Sequence, residues 1–212
     1  MDKNIITLCK KYSMISEERF QNNIESVKYI EDNNIEGDIV EIGVWRGGSI
    51  LSMIIKYQTY DKSIRSFHLY DTFTGMTPPK DIDVDYTGKT AESQLDNNLL
   101  VKAECPYVQV VNNIQKYSDY DTNKIIFHIG DILKNEVYPE KIAILRLDTD
   151  WYESTKFELD NFYQYVVKGG IIIIDDYGHW NGCRKAVDEF IEKNPQINLI
   201  PIDQSGVYFI KP

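Results

Sequence analysis

The chain is short of cysteine: three in 212 residues, Cys9, Cys105 and Cys183, odd in number, far apart and in no C-x-x-C spacing. That excludes a disulfide scaffold, and it fits a reducing compartment with ordinary thiols. Long apolar runs are missing as well. The longest obvious one, Ile171–Ile174, falls far short of the ~18 residues of a membrane span. The N-terminal Met1-Asp2-Lys3-Asn4 lacks the charged-then-apolar layout of a secretory signal, so a soluble, cytoplasmic chain with no membrane partner is expected. Positive charge is the scarcer sign, 23 Lys+Arg against 33 Asp+Glu, for a net charge of −10. A phosphate backbone wants the opposite balance, so no nucleic-acid partner is expected. There is no internal repeat, low-complexity tract or Gly/Ser/Pro-rich linker, and the length suits a single domain, 1–212, able to bury a core without a staple.

What the chain does have is alternation. It opens on a helical segment (1–36) in which Ser16 reads as an N-cap and Phe20, Ile24, Val27 and Ile30 recur at helical spacing. Short β-rich runs then follow at Ile39–Ile42, Ser66–Tyr70, Lys124–Ile129, Ile142–Leu147 and Gly170–Ile174. Helices are expected at Ser49–Tyr57, Glu153–Tyr165 and Asn181–Ile191, and Ser93–Tyr120 reads as helical but ambiguous around Cys105-Pro106. Ile197–Pro201 and Val207–Ile210, joined by Gln204-Ser205-Gly206, read as an antiparallel hairpin at one edge. Continuous Ile/Val/Leu strands between amphipathic helices indicate an α/β fold with a mostly parallel sheet covered on both faces. Residues 72–91 carry two prolines and two glycines and read as a long loop. Loops of that length usually act as lids or binding loops.

The chemistry is expected at strand ends, because open α/β sheets bind ligands outside the carboxyl edge. The ends here carry Glu41 and Gly43, then Asp71, Asp131, Asp148 and Asp150, and Asp175 and Asp176. Glu41-Ile42-Gly43-Val44-Trp45-Arg46-Gly47-Gly48 is a glycine turn between strand and helix, where the backbone can approach a ligand closely. It is not the G-x-G-x-x-G of dinucleotide folds, since Trp45 stands where a glycine is required, and it contains no phosphate-loop Gly-Lys-Ser/Thr. Asp71 can accept from ribose hydroxyls and Asp131 from an adenine amino group, which together describe a nucleoside-shaped pocket with no pyrophosphate requirement.

Asp148-Thr149-Asp150 and Asp175-Asp176 form a second constellation. Clustered carboxylates repel unless a cation sits among them, and oxygen-only donors favour Mg²⁺, Mn²⁺ or Ca²⁺ over zinc. Asp150 and Asp176 also read as helix caps, but Asp148 and Asp175 end hydrophobic strands and have no such explanation. His68 and His128 fall inside strands; His179, on the loop after Asp175-Asp176, is a candidate for assisting proton transfer. Trp151, Tyr152 and Trp180 flank the acids and suit either stacking on a ring or packing.

The segments Val40–Val44, Tyr70-Asp71-Thr72-Phe73-Thr74-Gly75-Met76, Leu147-Asp148-Thr149-Asp150-Trp151-Tyr152-Glu153-Ser154-Thr155 and Asp175-Asp176-Tyr177 resemble the macrocin O-methyltransferase family, whose members are sugar O-methyltransferases dependent on S-adenosylmethionine (SAM) and Mg²⁺. The likeness covers most of the chain. It implies a class I methyltransferase, Rossmann-like fold of seven strands with the last antiparallel. It also implies SAM over Glu41, Gly43, Asp71 and Asp131, with Gly47, Ser49, Thr72 and Asp148 completing the cofactor set. It implies Mg²⁺ (or Mn²⁺) on Asp148, Asp175 and Asp176, with Asp148 the general base, and residues 72–91 closing over the substrate. The chain is short ahead of its first strand for that family, so acceptor contacts made by a longer N-terminal region do not carry over.

A bare carboxylate, of pKa about 4, is a weak base for a sugar hydroxyl, and a bound divalent ion narrows the gap. A vicinal diol would chelate the ion and fix which oxygen meets the methyl group. The expected partner is therefore a small sugar or glycoside, with a homo-oligomer left open. A catechol-type methyltransferase uses the same metal logic. A glycosyltransferase holding Mn²⁺ on Asp148-Thr149-Asp150 leaves the glycine turn and Asp71 unexplained, and a non-catalytic module leaves so much clustered charge without a use.

Overall fold

The computed structural model describes residues 2–60, 64–97 and 101–212. Two helices open the chain, α1 (Asp2–Cys9) and α2 (Glu17–Asp32). They are followed by β1 (Asp38–Ile42), α3 (Gly48–Gln58), β2 (Phe67–Asp71), α4 (Ala91–Asn97), α5 (Tyr107–Gln115) and β3 (Ile125–Ile129). The second half runs β4 (Ile142–Leu147), α6 (Tyr152–Phe162), β5 (Val166–Ile174), α7 (Asn181–Lys193), β6 (Ile200–Pro201) and β7 (Val207–Ile210). They build one seven-stranded sheet in the order β3-β2-β1-β4-β5-β7-β6. The first five strands in that order are mutually parallel, and β7 runs antiparallel to β5 and to β6. This is the topology the sequence led us to expect.

Each face of the sheet buries its own core. Ile39, Phe67, Leu69, Ile144, Ile171 and Ile173 pack under α1, α2, α3 and α5. The alternate residues Val40, Ile42, Leu145, Leu147, Ile172 and Ile174 pack under α6 and α7. Adjacent residues of one strand therefore serve opposite cores, which is why these strands are apolar throughout rather than alternating. Ser16 caps α2 as expected, its hydroxyl accepting from Arg19 N at 3.1 Å. Cys9, Cys105 and Cys183 are buried free thiols. Among the described residues no helix is long and apolar enough to cross a membrane.

Several boundaries differ from those expected. β5 begins at Val166, four residues early, through a register irregularity opposite Ile142–Ile144 and the left-handed Gly169 (φ +79°). β6 shrinks to its last two residues, Ile200–Pro201, because Ile197 belongs to the turn after α7, its N–H donating to Asn194 O at 3.0 Å. Pro106 starts α5, which resolves the ambiguity there. Asp150 does not cap α6 and Asp176 does not cap α7. The free N–H of Tyr152 is met from the loop instead, by Asp83 Oδ1 at 2.9 Å.

The 72–91 loop is tied down at its far half. Asp83 also accepts from Lys80 N at 2.8 Å, while Asp85 accepts from Thr87 N and Lys89 N at 2.8 and 3.0 Å. Asp85 further forms an isolated bridge with Trp180, and Tyr86 N donates to His179 O at 2.9 Å. Gly182 of α7 makes room, because a Cβ there would lie 2.0 Å from Asp83 Oδ1.

Candidate active site

A cavity of about 440 Å³ opens at the carboxyl ends of β1, β2, β4 and β5. One side is the turn from β1 to α3 with Gly43, Val44, Trp45, Ser49, Asp71 and Thr72; the other is the acidic edge with Asp148, Asp150, Asp175, Asp176 and His179. At 300–1,000 Å³ such a volume suits a drug-sized ligand. Gly43 joins the two sides. It sits at φ +86°, and a Cβ on it would lie 1.9 Å from the carbonyl oxygen of Asp148, so only glycine lets the turn lie this close to β4. Asp71 Oδ2 accepts from Val44 N and Trp45 N at 2.7 and 2.9 Å, and Oδ1 from Phe73 N at 2.7 Å. The same carboxylate thus shapes the turn and lines the cavity. Thr72 Oγ1 donates to Gly75 O at 2.6 Å.

Three residues of the expected SAM set lie off the cavity wall. Gly47 takes the left-handed N-cap position of α3, facing Val110 and Ile114. Asp131 caps the turn after β3 through Leu133 N at 3.0 Å and pairs with Lys134 at 3.4 Å, while its neighbours Gly130 and Ile132 reach the cavity. Glu41 is fully buried beneath the floor, paired with Arg146 at 3.0 Å.

Oxygens of Asp148, Asp150 and Asp176 approach within 4.8 Å of one another. Asp148 and Asp176 are two of the expected metal ligands. The third, Asp175, stands beside Asp148 with each oxygen engaged by a guanidinium, Oδ1 by Arg146 and Oδ2 by Arg19. In its place Asp150 joins the tight group, held at the left-handed φ of +69° with Oδ2 accepting from Trp180 Nε1 at 3.0 Å. A non-glycine residue in that region costs about 1 kcal/mol or more, and such strain gathers at functional sites. Burial, and then the neighbouring carboxylates, push Asp150 up to about 7, Asp175 to about 6 and Asp176 well above the usual range.

Arg146 was not singled out from the sequence. Its signal was legible, since a guanidinium inside the apolar run Ile142–Leu147 demands buried counter-ions. Completely buried, it donates through Nη1 to Glu41 Oε1 at 3.0 Å and Asp148 Oδ2 at 2.6 Å, and through Nη2 to Asp175 Oδ1. Burial opposes its charge, but Asp148, Asp175 and Glu41 more than offset that and keep it protonated. Arg19 of α2 donates through Nε to Asp203 Oδ2 at 2.7 Å, and Ser16 Oγ donates to the same oxygen at 2.6 Å. The β6–β7 turn and the start of α2 are thereby fastened to the acidic edge.

His179 lines the cavity with its ring between Tyr86 and Trp180. Burial lowers its pKa, so the imidazole is neutral near pH 7 and able to accept a proton.

Glu158 lies under the site on α6, fully buried, accepting from Thr149 Oγ1 at 2.7 Å while Oε2 has no partner. Burial pushes it up to about 8. In the unfolded chain it ionises near pH 4.5, so between there and pH 8 the native state holds the extra proton and stability falls as pH rises. Glu158→Gln is expected to flatten that slope, gaining on the order of 2–3 kcal/mol on wild type between pH 5 and pH 8. Urea unfolding at both pH values reads it, and parallel pH profiles would contradict it.

The comparisons with known proteins agree on one group. The family model for macrocin-O-methyltransferase (TylF) matches residues 8–211. The chain is 35% identical over 205 residues to demethyldecarbamoylnovobiocin O-methyltransferase of Streptomyces niveus, covering 93% of this chain and 75% of that protein. It is 30% identical over 202 residues to mycinamicin III 3''-O-methyltransferase of Micromonospora griseorubida, covering 93% and 78%. The solved structure of the O-methyltransferase NovP superposes with a TM-score of 0.82 at 33% identity, covering 94% of this chain and 82% of that one.

Proposed function

Since the chain belongs to the macrocin O-methyltransferase family, we propose that it moves the methyl group of SAM to a sugar hydroxyl, with Mg²⁺ or Mn²⁺ held among the carboxylates at the strand ends. The observation that carries this reading is that the converging oxygens of Asp148, Asp150 and Asp176 and the Gly43/Asp71 turn face one cavity. The donor set fits a hard divalent ion: it is all oxygen, it has more negative charge than Arg19 and Arg146 cancel, and burial leaves part of it protonated. Asp148 and Asp176 are the principal ligands, with Asp150 and Asp175 beside them. When bound, the ion would polarise the acceptor hydroxyl and lower its pKa.

The chain's own residues do the rest. The β1–α3 turn and Asp71 seat the donor, with the carboxylate available to ribose hydroxyls. Asp148 takes the hydroxyl proton as the acceptor oxygen bonds to the methyl carbon and the carbon–sulfur bond breaks, leaving S-adenosylhomocysteine. No covalent enzyme intermediate is needed, so alignment of acceptor oxygen, methyl carbon and sulfur supplies most of the rate. Trp180, on the indole bond to Asp150, keeps water from one side of the acids.

Relatives are O-methyltransferases of demethyldecarbamoylnovobiocin, of mycinamicin III and of a tetracenomycin that carries a rhamnosyl group. The acceptor proposed here is accordingly a small glycoside whose sugar carries a vicinal diol. SAM binding by calorimetry, followed by mass spectrometry of candidate glycosides, tests it. The expected result is gain of one methyl on diol-bearing sugars and none on analogues lacking the neighbouring hydroxyl. Absence of SAM binding, or equal methylation of the deoxy analogues, would overturn it.

A further inference from the structure

We infer that Arg146 is the positioning residue of this site, a buried fork that sets the carboxylates of Asp148 and Asp175 from below and uses Glu41 as its own anchor. The inference rests on the proposed methyl transfer. Three elements meet in one side chain. Glu41 comes from β1, Asp148 from the end of β4 and Asp175 from the end of β5, and a single guanidinium bonds to all three. Its planar donors point in fixed directions, so each bond restricts the angle of the others.

The consequence for Asp148 is directional. Oδ2 is committed to Arg146 at 2.6 Å, and the pairing restricts the rotation of the carboxylate. A carboxylate that must meet both a cation and a hydroxyl proton gains from having its rotation removed in advance. Asp175 is gripped from two sides, by Arg146 and by Arg19, so it cannot swing to follow a shifted neighbour.

Glu41 takes a different part from the one its place in the glycine-turn motif suggests. It is fully buried and off the cavity wall, and besides its hydrogen bond with Ser49 it pairs with Arg146, so it acts on Asp148 and Asp175 through the guanidinium. The motif's glutamate and the arginine of the apolar strand are therefore one unit.

The test compares Arg146→Lys, which keeps the charge but not the fork, with Glu41→Gln, which keeps the shape and loosens the anchor. Circular dichroism reports folding, calorimetry reports SAM and Mg²⁺ affinity, and steady-state kinetics separate kcat from KM. For Arg146→Lys, kcat is expected to fall about 30-fold or more with KM for the acceptor and SAM affinity changed by less than about 3-fold. Its Mg²⁺ affinity is expected to drop about 10-fold. For Glu41→Gln, the same pattern is expected at about 3- to 10-fold.

Wild-type kcat and Mg²⁺ affinity in a folded Arg146→Lys protein would overturn the inference, as would a parallel loss of SAM affinity, which marks a merely structural role. Should Arg146→Lys not fold, unchanged kcat in Glu41→Gln overturns it. Failure of the underlying reading shows elsewhere, as an unsubstituted protein that transfers no methyl group to any glycoside.

Discussion

Asp148→Asn is expected to lose turnover by about 10³-fold, the middle of the range for removing a general base, while SAM affinity stays within about 5-fold of wild type. The amide keeps the shape but neither takes the proton nor supplies a full negative charge. It also leaves Nη1 of Arg146 facing a neutral oxygen 2.6 Å away where a carboxylate stood. Single-turnover methyl transfer reads the chemical step directly, and calorimetry reads the cofactor. Retained turnover would reject the base role, and loss of SAM binding in parallel would move Asp148 from the chemistry to the donor pocket.

Removal of divalent cations is the second large effect. Treatment with a chelator is expected to abolish methyl transfer, and Mg²⁺ to restore it. Because Asp150, at about 7, and Asp175, at about 6, titrate near neutrality, and burial raises Asp176 well above the usual carboxylate range, a cation entering their midst must displace protons. The sign follows: groups whose pKa is raised compete with the ion below that pKa, so apparent Mg²⁺ affinity climbs as pH rises from about 6 to 8. Calorimetric titration in buffers of different ionisation enthalpy should show proton release at pH 7. Buffer-independent heats, or full turnover in excess chelator, would exclude a cation among these acids.

The parts of this site that were legible in the sequence share one property: each is a strand end marked by an abrupt change of residue type. Ile42 to Gly43, Tyr70 to Asp71, Leu147 to Asp148 and Ile174 to Asp175 are such points, and all four reach the cavity. What stayed hidden is set by distance in the chain. Nothing in Pro78-Pro79-Lys80-Asp81-Ile82-Asp83 says that its last residue caps a helix beginning at Tyr152. Likewise the bond from Arg19 to Asp203 joins residues 184 positions apart. The cap role expected of Asp150 failed for the same reason, because local spacing cannot reveal that a distant side chain already occupies the N–H. The short α1, with Ile5, Ile6 and Cys9 its buried residues, offers too few turns for a periodic pattern to stand out.

The close passage of Gly43 against the backbone of Asp148 has a consequence for anyone wishing to redirect this scaffold. Ile42 O accepts from Asp148 N at 2.8 Å at that very point, so the ladder holds the backbones of the glycine turn and of Asp148 against each other. Met14, Met76 and Thr77 also line the cavity, and substitutions there are expected to alter acceptor preference while leaving that backbone passage intact. Swapping the rim should change which molecule is methylated far more readily than how fast the bond is made.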